Sequence, residues 1–468
     1  MSFSIFNFVL LKNNLLYTAI LFMILAISPA YPGTHALQKI DFEEFDLING
    51  LHVIMHQDTA NPLVCVDIWY HVGSKDEDSN RTGFAHLFEH MMFQGSKNVG
   101  KTEHFTYIQK AGGTLNGSTN QDRTNYFETV PSNQLELVLW LESDRMSSLN
   151  VTQENFDNQR EVVKEEKRQR YDNVPYGSRF ENLFNREFTD HPYHWITIGS
   201  MKDLNDADLS YARSFYKKFY SPNNAVLVIS GDINYKGTKK LVERYFAGLT
   251  PAPPRNTQFP DNVFNQGEKR DTIYDNVRLP AIYIAYKIPA VTSKDLYSLT
   301  LLSSILGERR SSRLYKNLVY EKQAARTIRS MVWDLELSGL FLISSTGLKN
   351  SKLNNIEELV QEEIKKIKEQ DVSDYELQKA KNSIESDYVN RTQTMHGVCE
   401  MLARYRTFYK NTSLINTDID NYIKVTAEDI KSTANKYLND DNSVILYYIP
   451  NKQGKPKDNM KPETLEEQ

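Results

Sequence analysis

A chain of 468 residues, 40 % apolar and 25 % charged, has room for two sizeable domains and the composition of an ordinary globular protein. Its net charge of −5 argues against the basic surface that nucleic-acid binding would favour. Two cysteines, Cys65 and Cys399, rule out a disulfide framework; they lie far apart in sequence, and both are expected to be free and buried.

The first residues read as a targeting segment. Lys12 is the only charged residue before Lys39, and Leu15 through Ile27 form an apolar run of signal-peptide length. Ser28-Pro29-Ala30 offers a cleavage site that makes 1–30 the leader, with Thr34-His35-Ala36 as a later candidate. The segment lacks arginine, which argues against an organellar transit peptide. No other stretch is apolar enough to span a bilayer, so the mature chain is expected to be exported, with a retained N-terminal anchor as the alternative. So few cysteines suit a bacterial periplasm.

A first domain is expected over 37–250. Phe45 to Met55 reads as a hairpin turning at Asn49-Gly50, and Pro62 to Val72 as a central strand. Past the segment at 83–94 come a helix from Thr102 to Ala111 and a turn at Gly112-Gly113. Strands follow at Thr114–Thr119 and Thr124–Val130, then helices at Leu135–Met146, Gln153–Arg170 and Asp208–Phe219. Ser221-Pro222-Asn223-Asn224 leads into a strand from Ala225 to Asp232. Residues 251–269 read as a linker and 270–450 as a second domain. There Ala281–Tyr286 is a strand, Lys294–Leu306 and Ala427–Leu438 are helices, and an Asn-rich turn leads into the strand Ser443–Tyr448. Helix, Asn-rich turn and apolar strand thus recur roughly 220 residues apart, which suggests two halves of one α+β fold. The tail, 451–468, is polar and expected to be disordered.

The segment Gly83-Phe84-Ala85-His86-Leu87-Phe88-Glu89-His90-Met91-Met92-Phe93-Gln94 carries the chemistry. On a helix, His86 and His90 stand one turn apart on one face with Glu89 beside them, while five large apolar side chains cover the rest. The plain alternative is a core helix whose polar groups are satisfied by neighbours. Three ionisable groups on so apolar a helix need a partner, and a divalent cation is the most economical. Zinc accepts neutral imidazole, and a His pair four apart supplies two ligands from one rigid element. The order H-x-x-E-H inverts the commoner H-E-x-x-H of zinc proteases. A catalytic zinc takes three protein ligands, so one more is needed. In the helix containing Asn158 to Glu166, helical spacing sets Glu166 between Val162 and Val163, on the side of Phe156 and Gln159. It turns Glu165 toward Asn158, Glu161 and solvent. Glu166 is therefore expected to be the third ligand; the alternative is an ordinary charged helix with one glutamate tucked inward.

These residues resemble the pitrilysin/insulinase family of metallopeptidases, the inverted zincins. Phe84 to Phe93 is similar to the family's zinc-binding signature. Gly112-Gly113-Thr114-Leu115-Asn116-Gly117-Ser118-Thr119 with Thr124-Asn125-Tyr126 resembles its next block, and Arg160 to Glu166 its distal-ligand segment. Ser311-Ser312-Arg313-Leu314-Tyr315 resembles a landmark of its second half, and the length that of half-length, processing-peptidase-like members. The resemblance implies two homologous domains related by pseudo-two-fold symmetry, each a mostly antiparallel sheet flanked by helices. It implies a Zn2+ metalloendopeptidase, with His86, His90 and Glu166 as zinc ligands and Glu89 as general base toward the attacking water. Asn116 lies on the strand to which such enzymes add an extended peptide substrate as a further strand. Two chains would enclose a chamber. This chain departs from the pattern at Gln159, where relatives often carry glutamate. It departs again at Val319 and Arg326, which stand where an arginine and a tyrosine help bind substrate. The missing pair implies a hetero-oligomer with a homologous chain that carries it, otherwise a homodimer. A non-catalytic scaffold or peptide-binding subunit of the same fold is the competing reading. His104, His191 and His194 are expected at the surface, Tyr193 and Trp195 in packing, and Lys365-Lys366-Ile367-Lys368 on a solvated helix face.

Overall fold

The computed structural model describes residues 39–255, 258–260, 263–264 and 267–451. The leader expected at 1–30 (or to 36) and the tail after Asn451 lie outside the described residues. Two sheets organise the chain. In the first, β1 (Glu43–Asp46) turns at Asn49-Gly50 into β2 (His52–Gln57), with Gly50 at φ +86°, a conformation that favours glycine. β3 (Leu63–Tyr70), β4 (Thr114–Thr119), β5 (Thr124–Pro131) and β6 (Ala225–Gly231) complete the order β1-β2-β6-β3-β5-β4. β3 is buried from Val64 onward, as an interior strand should be. All neighbours are antiparallel except β2 and β6.

The second sheet repeats the plan. β7 (Lys269–Asp275), β8 (Ala281–Ile288), β9 (Ala325–Asp334), β10 (Gly339–Gly347) and β11 (Ser443–Pro450) run in the order β7-β11-β8-β10-β9, again with one parallel pair, β7 and β11. The asparagines of the two recurring turns do the same work. Asn224 Nδ2 donates to the carbonyls of Phe219 and His71; Asn442 Nδ2 donates to those of Tyr437 and Lys287. Each ties the end of a helix to the end of a neighbouring strand. Lys269, the last residue of the stretch read as linker, opens β7 and pairs with Val444. β7 is not among the strands expected from the sequence, because it is a charged edge strand with alternate residues exposed.

The helices that frame the site and cover the sheets are α1 (Phe84–Met91), α2 (Glu103–Lys110), α3 (Leu135–Ser148), α4 (Gln153–Lys167), α5 (Arg179–Glu187), α6 (Leu209–Phe219), α7 (Asp295–Ser303), α8 (Met395–Arg404) and α9 (Ala427–Tyr437). α1 packs on β4, β5, α4 and α6, with Phe84, Leu87, Phe88 and Met91 buried and the Phe88 ring stacked 5.4 Å from that of Phe215. α7 and α9 pack together in the second core. The remaining face of each sheet is closed by a helix from the other half of the chain. α8 lies across β3 and β6, while α5 lies on β8 and β11. There Leu183 and Phe184 join Tyr283, Leu446 and Tyr448 in a third apolar cluster. From Ile40 onward both sheets belong to one compact unit. No helix among the described residues is long and apolar enough to cross a membrane.

Candidate metal centre

The first turn of α1 is pinned at its N-terminus. Gly83 sits at φ +92°, and a Cβ there would stand 2.8 Å from the Ile198 carbonyl oxygen. Glu77 accepts hydrogen bonds from Gly83 N at 2.9 Å and Ala85 N at 2.7 Å, and its Oε2 also accepts Trp195 Nε1 at 3.0 Å. A carboxylate at the positive end of a helix is favourable. Burial pushes this carboxyl up, while the three donors pull it back toward the ionised form.

On the half-buried face of α1, Nε2 of His86 and Nε2 of His90 stand 3.6 and 3.3 Å from Oε2 of Glu166, which reaches across from α4. One ligand atom from each of the three lies within 4.8 Å of the others. The imidazole rings are 4.9 Å apart and inclined at 73°. Arg170, one turn after Glu166, holds the second carboxylate oxygen at 2.6 Å. Glu165 points to solvent and bonds to Arg168 and Gln169. Phe156, Gln159, Val163 and Lys167 form the buried face of α4, whereas Val162, expected beside them, is 43 % exposed. Glu166 therefore stands at the margin of that face, its side chain 16 % exposed.

Burial, reinforced by His90, lowers the His86 pKa, so its imidazole is neutral at neutral pH. The His90 hydrogen bond holds the Glu166 carboxyl below its ordinary value. An imidazole lone pair and a carboxylate oxygen repel at this distance unless a proton or cation lies between them. The buried Nδ1 of His86 has no hydrogen-bond partner among the described residues. Two imidazoles and a carboxylate converging on one point are a donor set that suits zinc, and the residues fit the ion. Beside them Glu89 accepts a 2.6 Å hydrogen bond from Thr119 Oγ1 at the end of β4. Burial raises the Glu89 carboxyl and the Thr119 hydroxyl pulls it back.

β4 is an edge strand, paired with β5 alone. Asn116 is exposed on it, and its Oδ1 accepts from Gly117 N at 2.9 Å. The sequence reading gives Glu77 and Arg170 no role, Trp195 one in packing alone, and Thr119 only a place on the strand expected to take substrate. Arg170 could have been found from its i, i+4 spacing to Glu166; the others depend on how loops and strands meet. His104 departs from expectation, since only 3 % of it is exposed. It lies on the inward side of α2, with Nε2 3.1 Å from Glu128. His104, Glu128 and Glu142 also converge, but Arg145 already supplies the cation, bonding Glu142 Oε2 at 2.9 Å and Glu128 at 3.3 Å. His191 and His194 are half-buried, flanking the buried Tyr193.

Residues 52–200 match the family model described as Insulinase (Peptidase family M16), and 207–384 the model described as Peptidase M16 inactive domain. Zinc protease PqqE of Helicobacter pylori is 30 % identical over 419 residues, which cover 87 % of this chain and 93 % of that protein. The chain belongs to the insulinase (M16) peptidase family. Among solved M16-like structures, that of a protease from Helicobacter pylori is 29 % identical and superposes with a TM-score of 0.85, covering 88 % of this chain and 100 % of the other. A peptidase M16 inactive domain from Pseudomonas fluorescens, 17 % identical, superposes with a TM-score of 0.79 over 89 % of this chain and 100 % of the other; at that identity the likeness shows the fold alone. That fold is two sheets of mostly antiparallel strands flanked by helices. His86, Glu89, His90 and Glu166 all lie within the match to the insulinase model.

Proposed function

We propose that this M16 chain is an exported zinc endopeptidase that cleaves extended or unfolded peptides. The observation that carries the reading is the convergence of His86, His90 and Glu166 with Glu89 beside them. His86, His90 and Glu166 would hold the ion. When bound, zinc supplies the Lewis acidity that activates water and polarises a peptide carbonyl. Glu89 accepts the proton of the attacking water and returns it to the departing amine, with one carboxylate oxygen held by Thr119. The open edge of β4, which ends at Thr119, offers backbone groups and the exposed Asn116 to a peptide lying alongside as a further strand. The apolar run 15–27 supports export, and the periplasm is the compartment proposed.

The arginine and tyrosine that would help hold the substrate are replaced by Val319, half-buried against the second core, and Arg326, exposed on β9. A homologous partner chain that carries the pair would complete the enzyme. The description "inactive domain" favours a second reading, a scaffold or peptide-binding subunit, but it attaches to 207–384, which contains none of the four site residues. The deciding experiment measures zinc content and hydrolysis of an unstructured peptide for the wild type and Glu89→Gln. The variant is expected to keep its zinc and fold and to lose at least about 10²-fold in kcat. Wild type without zinc or without hydrolysis, tested alone and with a homologous partner, would leave the scaffold reading. Rebuilding the pair with Val319→Arg and Arg326→Tyr should raise kcat/KM of the single chain, by up to about 10²-fold if one lost donor is restored. An unimproved double variant, with a chain that alone matches the mixture, would reject the two-chain enzyme.

A further inference from the structure

The two cysteines lie 334 positions apart, and the fold brings them together. Val64, Val66, Ile68 and Tyr70 of β3 face the first core, so the alternate residue Cys65 faces the other way, toward α8. Cys399 sits in α8 with its Sγ 3.8 Å from the Cys65 carbonyl oxygen and 4.0 Å from that of Val228 on β6. Both cysteines are fully buried and, as the sequence leads one to expect, both are free thiols in this structure. The Cys65 thiol is a hydrogen-bond partner of the Cys399 thiol, and burial pushes the latter well above its ordinary pKa.

We infer that Cys65 and Cys399 form a disulfide that fastens α8, from the second half of the chain, to β3 at the centre of the first sheet. The oxidant is a small-molecule or protein disulfide. One cysteine thiolate attacks it and expels a thiol; the second then attacks the mixed disulfide and expels the other. The pair loses two protons and two electrons, and the oxidant leaves as two thiols. A buried thiol of raised pKa is a poor nucleophile, so the bond forms while α8 docks during folding, and the same burial then shields it from reductants. A cross-link between positions so distant in sequence removes much of the unfolded chain's freedom.

The test is to refold the full chain, denatured and reduced, in a buffer of reduced and oxidised glutathione, then alkylate it under denaturing conditions. Neither cysteine should take the alkylating agent, and a peptide pair linking Cys65 to Cys399 should appear and vanish on reduction. The oxidised form should melt on the order of 5 °C above the reduced one. Cys399→Ala should abolish that redox dependence. If the variant does not fold, alkylation of the wild type decides alone. Free thiols or glutathione adducts at both positions would overturn the inference, and so would equal melting of the two redox forms.

Discussion

Glu165 and Glu166 differ by one helical step of 100°, and that step decides which carboxylate meets the histidines. Oε2 of Glu166 is 3.3 Å from His90, while the Glu165 side chain is 54 % exposed and bonded to Arg168. Zinc affinity, measured by competition with a chelator, should separate the two. Loss of an outer partner of a metal ligand typically costs about 10–100-fold, so Glu166→Gln, which alters a ligand, should cost more, and Glu165→Gln should cost nothing measurable. Equal losses would mean that Glu166 acts through helix charge and not as a ligand. Arg170→Ala should fall between, because it removes the guanidinium that holds Glu166's second oxygen.

At the scale of the element, α1 needs an anchor as well as ligands. The apolar positions seat it against its neighbours, and Glu77 fixes its first turn by taking the N–H groups of Gly83 and Ala85. Glu77→Gln turns one acceptor into a donor facing those N–H groups, and leaving a buried donor unpaired costs about 1–3 kcal/mol. The urea midpoint should fall accordingly, and zinc affinity should fall with it because the histidines ride on the same helix. A variant with lowered stability and unchanged zinc affinity would show that Glu77 serves the fold only. β7 makes the opposite point: its charged, alternately exposed sequence pairs only because β11 arrives beside it.

For the whole molecule, each half of the chain closes the other's sheet, and a second contact latches them. Glu336, after β9, accepts a hydrogen bond from His71 Nε2 at 2.7 Å and lies 3.3 Å from Lys75 Nζ, both in the first half. Its backbone N–H donates to Asp122, and Leu337 N donates to Tyr193. Burial would raise the Glu336 carboxyl, but His71 and Lys75 hold it down to about 2. An unfolded glutamate titrates near about 4.3, so the folded state keeps this group ionised to lower pH than the unfolded state does. Its stabilisation is complete above about pH 5 and is lost as the pH falls through about 4.3 toward about 2. Allowing for partial solvent exposure, Glu336→Gln should cost about 2 kcal/mol near neutral pH and almost none near about pH 2. Urea midpoints for both proteins across that range check it; a difference that does not shrink with acid would place the effect elsewhere.

The H-x-x-E-H helix, the choice between Glu165 and Glu166, the hairpin at Asn49-Gly50 and the recurring asparagine turn were legible in the sequence because each rests on spacing within one or two elements. Periodicity reports which face of an element is buried; it carries no record of what lies against that face. The Thr119–Glu89 bond, the Glu77 anchor, the burial of His104 and the meeting of Cys65 with Cys399 join residues 30, 8, 24 and 334 positions apart. The eight-residue link still needs the turn before α1 to fold back on it, and the others need strand order, register and helix placement. None of these is encoded in the local pattern. Only the closed tertiary structure, in which each half of the chain supplies a helix to the other's sheet, decides them.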